Sequence, residues 1–161
     1  MEATAAARAS ALAIFLGVAW GVVGIVYTMT AGQAAMDAAV AQASAGTPEM
    51  ANAIGQFALW SAVGLAVIQL LFALFQWAKP NIVIPIIFLI LVAFGLIMGV
   101  FGLVAAGAMP EVAEASAATP AWQTWIGLLL LVVQTVLHIS GIRGASKLDK
   151  LRHAAANTYE D

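Results

Sequence analysis

Apolar residues occur in four long runs along this chain, and the charged residues lie in the stretches between and around them. An α-helix needs about 20 apolar residues to cross the hydrocarbon core of a bilayer. The runs at about 10–30, 54–78, 82–109 and 122–142 reach that length, and none contains Asp, Glu, Lys or Arg. The pattern therefore predicts an all-α membrane protein whose four transmembrane helices form one domain over residues 1–161.

Two of the runs carry ladders of small residues at helical spacing. The ladder positions are Gly17, Gly21 and Gly24 in the first run and Gly95, Gly99 and Gly102 in the third. Residues three and four apart share one helix face, and small residues on such a face let a neighbouring helix approach closely. We expect all six glycines to mediate helix packing, with one pair of ladders forming an internal contact between the first and third spans.

The chain also shows signs of an internal repeat. Beyond the paired ladders, a tryptophan precedes a glutamine by nine residues in two places, Trp60 with Gln69 and Trp125 with Gln134. This favours two related antiparallel helical hairpins, residues 1–79 and 80–161, arranged as a parallel repeat. The alternative is a chance alignment of residue types that are common in membrane spans.

Prolines and small residues predict where the helices begin and end. Pro48 and Pro120 each follow a threonine, the pattern of an N-cap with proline in the first helical position. Pro80 disfavours helix at the preceding lysine, so the second span ends there and a short turn makes the second and third spans antiparallel neighbours. The Ala-rich segment 31–45 predicts a helix that either continues the first span beyond the membrane or lies on the membrane surface, and 146–154 predicts an extension of the fourth span.

Composition supports the membrane assignment and excludes several classes of function. The chain is 63% hydrophobic and only 9% charged, with a mean hydropathy of +0.99, whereas a soluble domain carries about 25% charged residues. A net charge of −2 with six basic residues argues against a nucleic-acid partner. The absence of cysteine excludes disulfides, thiolate metal sites and thiol redox chemistry.

The basic residues predict the orientation in the membrane. They are Arg8, Lys79, Arg143, Lys147, Lys150 and Arg152. With four spans, all six fall on one side, which the positive-inside rule makes cytoplasmic. The opposite loops hold the acidic residues Asp37, Glu49, Glu111 and Glu114. The pattern predicts cytoplasmic N- and C-termini and fits a bacterial inner membrane.

Three polar residues within the spans share a helix face with small residues: Gln69, Gln134 and His138. We expect their side chains to point into the bundle or towards a partner protein. One interpretation is structural, because polar side chains hydrogen-bond between closely packed membrane helices. A second is functional, since an intramembrane ionisable residue often lines a pore, a cavity or a cofactor site. A third is that His138 faces lipid or a partner.

No catalytic constellation is present, and we expect a protein that is not an enzyme. A hydrolase would need a nucleophile near His138, and Ser61 and Ser140 are the only serines expected at a suitable depth. The single imidazole is too few for a zinc site, which takes three or four protein ligands, and a bis-His haem site would need a second histidine within the membrane. We therefore predict no metal and no cofactor.

These observations lead to two main functional hypotheses. The first is a non-catalytic helix-packing subunit, an accessory component of a larger membrane complex or of a homo-oligomer, whose partners are lipid and other membrane subunits. The alternative is an oligomeric channel or small-solute permease lined by Gln69, Gln134 and His138. A weaker third class is a haem or quinone carrier.

Overall fold

The structure, a computed structural model, describes residues 2–43, 47–110, 112–113 and 119–157. It contains the helices α1 (Glu2–Met29), α2 (Gln33–Ala43), α3 (Pro48–Ala78), α4 (Val83–Ala108) and α5 (Ala121–Asn157). No strand occurs in the described part of the chain. α1, α3, α4 and α5 are each long and apolar enough to cross a membrane, which confirms the predicted number of spans.

The helix ends follow the proline signals closely. Pro48 is the first residue of α3, and Thr47 precedes it in an extended conformation but makes no side-chain cap hydrogen bond. α3 ends at Ala78, just before Lys79 and Pro80. The Ala-rich segment forms α2, a separate helix, because the chain turns at 30–32 instead of continuing α1.

α5 is longer than a membrane span. Its 37 residues rise about 55 Å at 1.5 Å per residue, whereas the hydrocarbon core is about 30 Å thick. The predicted extension over 146–154 is therefore helical and continues well beyond the apolar part of α5. This extension carries Lys147, Lys150 and Arg152, which suits a helix end that leaves the bilayer.

The helices pack in the order α3, α1, α5, α4. α1 packs along α5 and, on another face, along α3, while α4 packs against α5 and α2 lies against α3. α3 and α4 meet near their connecting turn, where the rings of Phe72 and Phe88 lie 5.9 Å apart. Elsewhere these two helices make only sparse contact. The short turn thus makes them neighbours at one end, but their backbones approach closely at few positions.

The two glycine ladders approach α5 and not each other, except at Gly21 and Gly102, where a Cβ atom would meet nothing within 4 Å and the expected packing contact is absent from the described residues. A Cβ atom at Gly99 would lie 2.7 Å from Leu128, and one at Gly95 would lie 3.6 Å from Leu131. A Cβ atom at Gly17 would lie 2.7 Å from the side chain of Gln134. The expected contact between the ladders of the first and third spans is therefore corrected: α5 is the common neighbour that both ladders approach.

The basic residues gather at one end of the bundle, which we call the basic end. There the Arg8 side chain donates a hydrogen bond from Nε to the carbonyl oxygen of Trp77, 3.1 Å away, and its guanidinium lies 5.1 Å from the Trp77 ring. Gly144 of α5 packs against Ala7 of α1 at the same end. The opposite, loop end carries α2. Of the acidic loop residues, Glu111 and Glu114 lie outside the described residues.

Candidate functional site

A cavity of about 320 Å³ lies between α1, α3, α4 and α5. Its walls include Ala13, Ile14, Gly17, Trp20, Gln69, Phe88, Leu91, Val92, Gly127, Leu130, Leu131, Gln134 and His138. From Ala13 to Trp20 the α1 wall rises by about 10 Å. The three polar residues singled out from the sequence therefore converge on one cavity, although they come from two helices, α3 and α5.

His138 is almost completely buried and is held by a serine of α1. The Ser10 hydroxyl oxygen lies 2.8 Å from Nδ1 of the imidazole, and Ser10 is fully buried. The hydroxyl can donate to Nδ1 in one neutral tautomer of the imidazole or accept from Nδ1–H in the other. When the hydroxyl donates, the proton of the neutral imidazole sits on Nε2. In either case the serine orients the ring.

The other ring nitrogen of His138 is buried without a partner. Among the described residues, Nε2 is the one buried side-chain nitrogen or oxygen that forms no hydrogen bond. Phe88 packs on the ring, with centroids 5.9 Å apart and planes at 24°. Most buried polar atoms in proteins are paired, so an unpaired buried ring nitrogen on a residue that lines a cavity calls for an explanation.

Close helix packing makes this placement possible. A Cβ atom at Gly141, one turn beyond His138, would lie 2.6 Å from the Cβ atom of Ser10. Only a residue without a side chain lets α1 approach α5 so closely, and this approach brings the Ser10 hydroxyl to the imidazole. The Ser10–His138 hydrogen bond therefore depends on the glycine at position 141, where α1 and α5 cross.

Gln134 lies further along the same face of α5. It is buried, and its amide nitrogen donates to the carbonyl oxygen of Ala13, 3.1 Å away. This contact is an interhelical hydrogen bond of the structural kind expected from the sequence. Gln69 is half-buried in the wall that α3 contributes. The three residues thus differ: Gln134 joins two helices, Gln69 borders the cavity, and His138 keeps an unpaired donor.

A buried apolar cluster lies on the side of the cavity towards the basic end. It consists of Ile14, Ala73 and Ile84, with Phe88 packed against it, and it joins α1, α3 and α4 before the turn at 79–82. Among the residues of the cavity wall, Leu91 of α4 is 58% exposed. The cavity is therefore not fully enclosed beside Leu91.

The serine beside His138 is not one of those expected from the sequence. Depth along the spans favours Ser61 and Ser140, but the structure places Ser10 on the imidazole. Ser10 lies seven residues before Gly17, so it shares the face of the first ladder. Extending that ladder towards the N-terminus would have identified Ser10 as a residue facing another helix.

The described residues contain no group of three or more His, Cys, Asp or Glu side chains that could hold a metal ion. What the arrangement offers is a buried imidazole with one unpaired ring nitrogen, on the wall of a largely apolar cavity. Comparison with known proteins adds no assignment, because no protein-family model, curated protein or solved structure matches this chain.

Proposed function

We propose that this chain is a non-catalytic integral membrane subunit that packs against further transmembrane helices, either in a larger complex as an accessory component or in a homo-oligomer. The main support for this proposal is that some helix glycines face a neighbouring helix of the same chain while others face open space. Gly17, Gly95 and Gly99 each face a side chain of α5, whereas a Cβ atom at Gly64 or Gly102 would meet nothing within 4 Å. Small residues facing open space suit the approach of a second protein's helix.

The position of α3 supports the same proposal. α3 contacts the bundle through α1 and α2, and it makes only sparse contact with α4 beyond the turn. Among its apolar side chains, Phe57 is 75% and Trp60 70% exposed. Lipid can cover such a surface, but the glycine at position 64 interrupts it with a notch that a helix fills better than an acyl chain.

A catalytic role is disfavoured by the position of the one serine that contacts His138. The Ser10 hydroxyl is directed to Nδ1, and its side chain lies inside the crossing of α1 and α5, where it does not line the cavity. A nucleophile must reach a substrate carbonyl while it is bonded to its base. Ser10 is covered by α5 and offers no such approach.

For the membrane arrangement, we propose a hairpin of α1 with α3 and a hairpin of α4 with α5, both with their basic ends in the cytoplasm. The packing of α1 on α3 and of α4 on α5 supports this pairing. The gathering of the basic residues at one end supports the orientation through the positive-inside rule. A bacterial inner membrane is the location that this charge pattern fits best.

The test is native mass spectrometry of the protein extracted from its own host in mild detergent. We expect stoichiometric foreign subunits or a closed homo-oligomer. A bare monomer at every detergent concentration that keeps the chain folded would contradict the proposal.

Matched leucine variants make this test specific to the surface. Gly64→Leu and Gly102→Leu place a side chain in open space, so the folded monomer should persist while assembly through that face is lost. Gly99→Leu is the comparison, because its side chain collides with Leu128 inside the chain and should destabilise the monomer itself. If both open-space variants assemble as the wild type does, these surfaces are not contacts.

A small-solute permease is the second candidate, because Gln69, Gln134 and His138 line one cavity. Gln134 and His138 are buried within a single chain, so the path would run through the interior of each protomer and not between protomers. The apolar cluster at Ile14 and Ala73 closes that path at the basic end. Transport would therefore require this cluster to open.

A further inference from the structure

His138, whose Nε2 is buried and unpaired, is one of the residues that line the cavity. In the tautomer whose Nδ1 accepts from Ser10, this nitrogen carries the proton and is a donor. None of the thirteen lining residues is Asp, Glu, Lys or Arg. Trp20 adds an indole ring to the wall, and Gln69 adds a side-chain amide. An N–H donor within apolar walls is best matched by a neutral ligand that presents a hydrogen-bond acceptor. A cationic ligand would find no counter-charge, and a donor-only ligand would leave Nε2 unpaired.

The size and the opening of the cavity restrict the ligand further. About 320 Å³ is at the lower end of the range for small-molecule sites, about 300–1,000 Å³. This space suits one ring system with its substituents but not a whole lipid. We place the opening of the cavity beside the exposed Leu91, between α4 and α3, which make only sparse contact with each other. In a membrane this surface faces acyl chains. A hydrocarbon tail attached to the ring could leave through this opening and remain in lipid.

We propose that the cavity binds the headgroup of a lipid-soluble carbonyl compound of the quinone class, with a carbonyl oxygen accepting a hydrogen bond from Nε2 of His138. In this site the Ser10 hydroxyl, 2.8 Å from Nδ1, donates to that nitrogen and leaves the proton of the neutral imidazole on Nε2, so Ser10 is a positioning residue. The proposal concerns binding alone and does not depend on the packing role proposed above.

Phe88 is the ring that packs on the imidazole. It is stacked on His138, it lines the cavity, and it is only half-buried. Nε2 is buried in this arrangement. Binding therefore requires the Phe88 ring to turn aside, after which a flat headgroup can take its stacking position against His138.

The experiment is a titration of the full chain in lipid nanodiscs with a decyl-substituted benzoquinone. Quinones quench tryptophan fluorescence on contact, and Trp20 lies in the cavity wall. After subtraction of the partition into empty nanodiscs, we expect a saturable quenching component at one site per chain. Decylbenzene, which has the tail and ring without the carbonyls, should fail to displace the quinone. Purely non-saturable quenching would overturn the proposal.

Two variants locate the site. His138→Phe keeps an aromatic ring but removes the donor, and binding should weaken roughly tenfold, as expected for one unmade buried hydrogen bond. His153→Phe is the matched control, since His153 is exposed in the tail of α5, and its binding should equal that of the wild type. Unchanged affinity in His138→Phe would show that the imidazole does not hold the ligand.

A substitution at the cavity opening keeps the test valid if His138→Phe fails to fold. Leu91 lines the cavity and is 58% exposed, so Leu91→Trp has room to fold and places a large ring across the opening. We expect loss of the saturable component with the helical content unchanged. Wild-type binding in this folded variant would show that the ligand binds elsewhere.

Discussion

The crossing of α1 and α5 at the basic end provides the most direct test of the packing. A Cβ atom at Gly144 would meet the backbone nitrogen of Ala7, and it would lie 2.5 Å from the carbonyl carbon of Ala6. Both obstacles are backbone atoms, which cannot rotate away as a side chain can. We predict that Gly144→Ala destabilises the folded chain by forcing the two helices apart.

The size of the effect follows from this distance. Ordinary van der Waals contact begins at 3.4 Å, so the helices must separate by about 1 Å near Gly144, and overpacking of this kind costs about 1–3 kcal/mol. Against this, alanine is the better helix former by up to about 1 kcal/mol. The steric overlap outweighs the gain in helix propensity, and we expect a net loss of about 1–2 kcal/mol in the free energy of unfolding.

The assay is equilibrium unfolding in mixed micelles with increasing dodecyl sulfate, followed by circular dichroism and tryptophan fluorescence. Gly64→Ala is the matched control, because a Cβ atom at that position of α3 meets nothing within 4 Å. The control should be as stable as the wild type or slightly more stable. If Gly144→Ala unfolds at the same dodecyl sulfate fraction as the control, the close crossing of α1 and α5 is refuted.

Two further predictions concern buried polar groups. Gln76→Leu should lower the free energy of unfolding by about 1–3 kcal/mol, because the buried amide of Gln76 bonds both the carbonyl oxygen and the N–H of Asn81 at the turn. Gln56→Leu, at an exposed position, should change stability little in the same assay. If the chain is a permease, His138→Leu should change glycerol or urea flux into proteoliposomes, measured by stopped-flow light scattering, while His153→Leu leaves it unchanged. Equal flux in both variants would remove His138 from the path.

The sequence predicted the elements of the fold well because each signal was local. Apolar length set the number of spans, and Pro48 and Pro80 set the ends of α3. The choice of neighbours was harder to predict. The ladder at Gly95 and Gly99 indicates that another helix packs closely against α4, but it does not indicate which one. That depends on which helix has a complementary surface. In the structure it is α5, whose Leu128 packs against Gly99.

The candidate site could be predicted only in part, for a related reason. The periodicity indicated that Gln134 and His138 face the bundle interior, and both are buried. Their partners, the carbonyl oxygen of Ala13 and the hydroxyl of Ser10, are more than a hundred residues away in the chain. A backbone carbonyl carries no sequence signal at all. Ser10 does not stand out in the sequence because a serine near the start of a span is ordinary.

Packing and chemistry cannot be separated in this molecule, because α5 supplies both. The face that holds Gln134 and His138 also holds Gly141, and the close approach that Gly141 permits sets the 2.8 Å distance from Ser10 to the imidazole. Any substitution that widens the crossing of α1 and α5 therefore also loosens the hydrogen bond that orients the His138 ring. The hydrogen bond from Ser10 satisfies Nδ1 alone, whereas Nε2 is buried without a partner on a residue that lines the cavity.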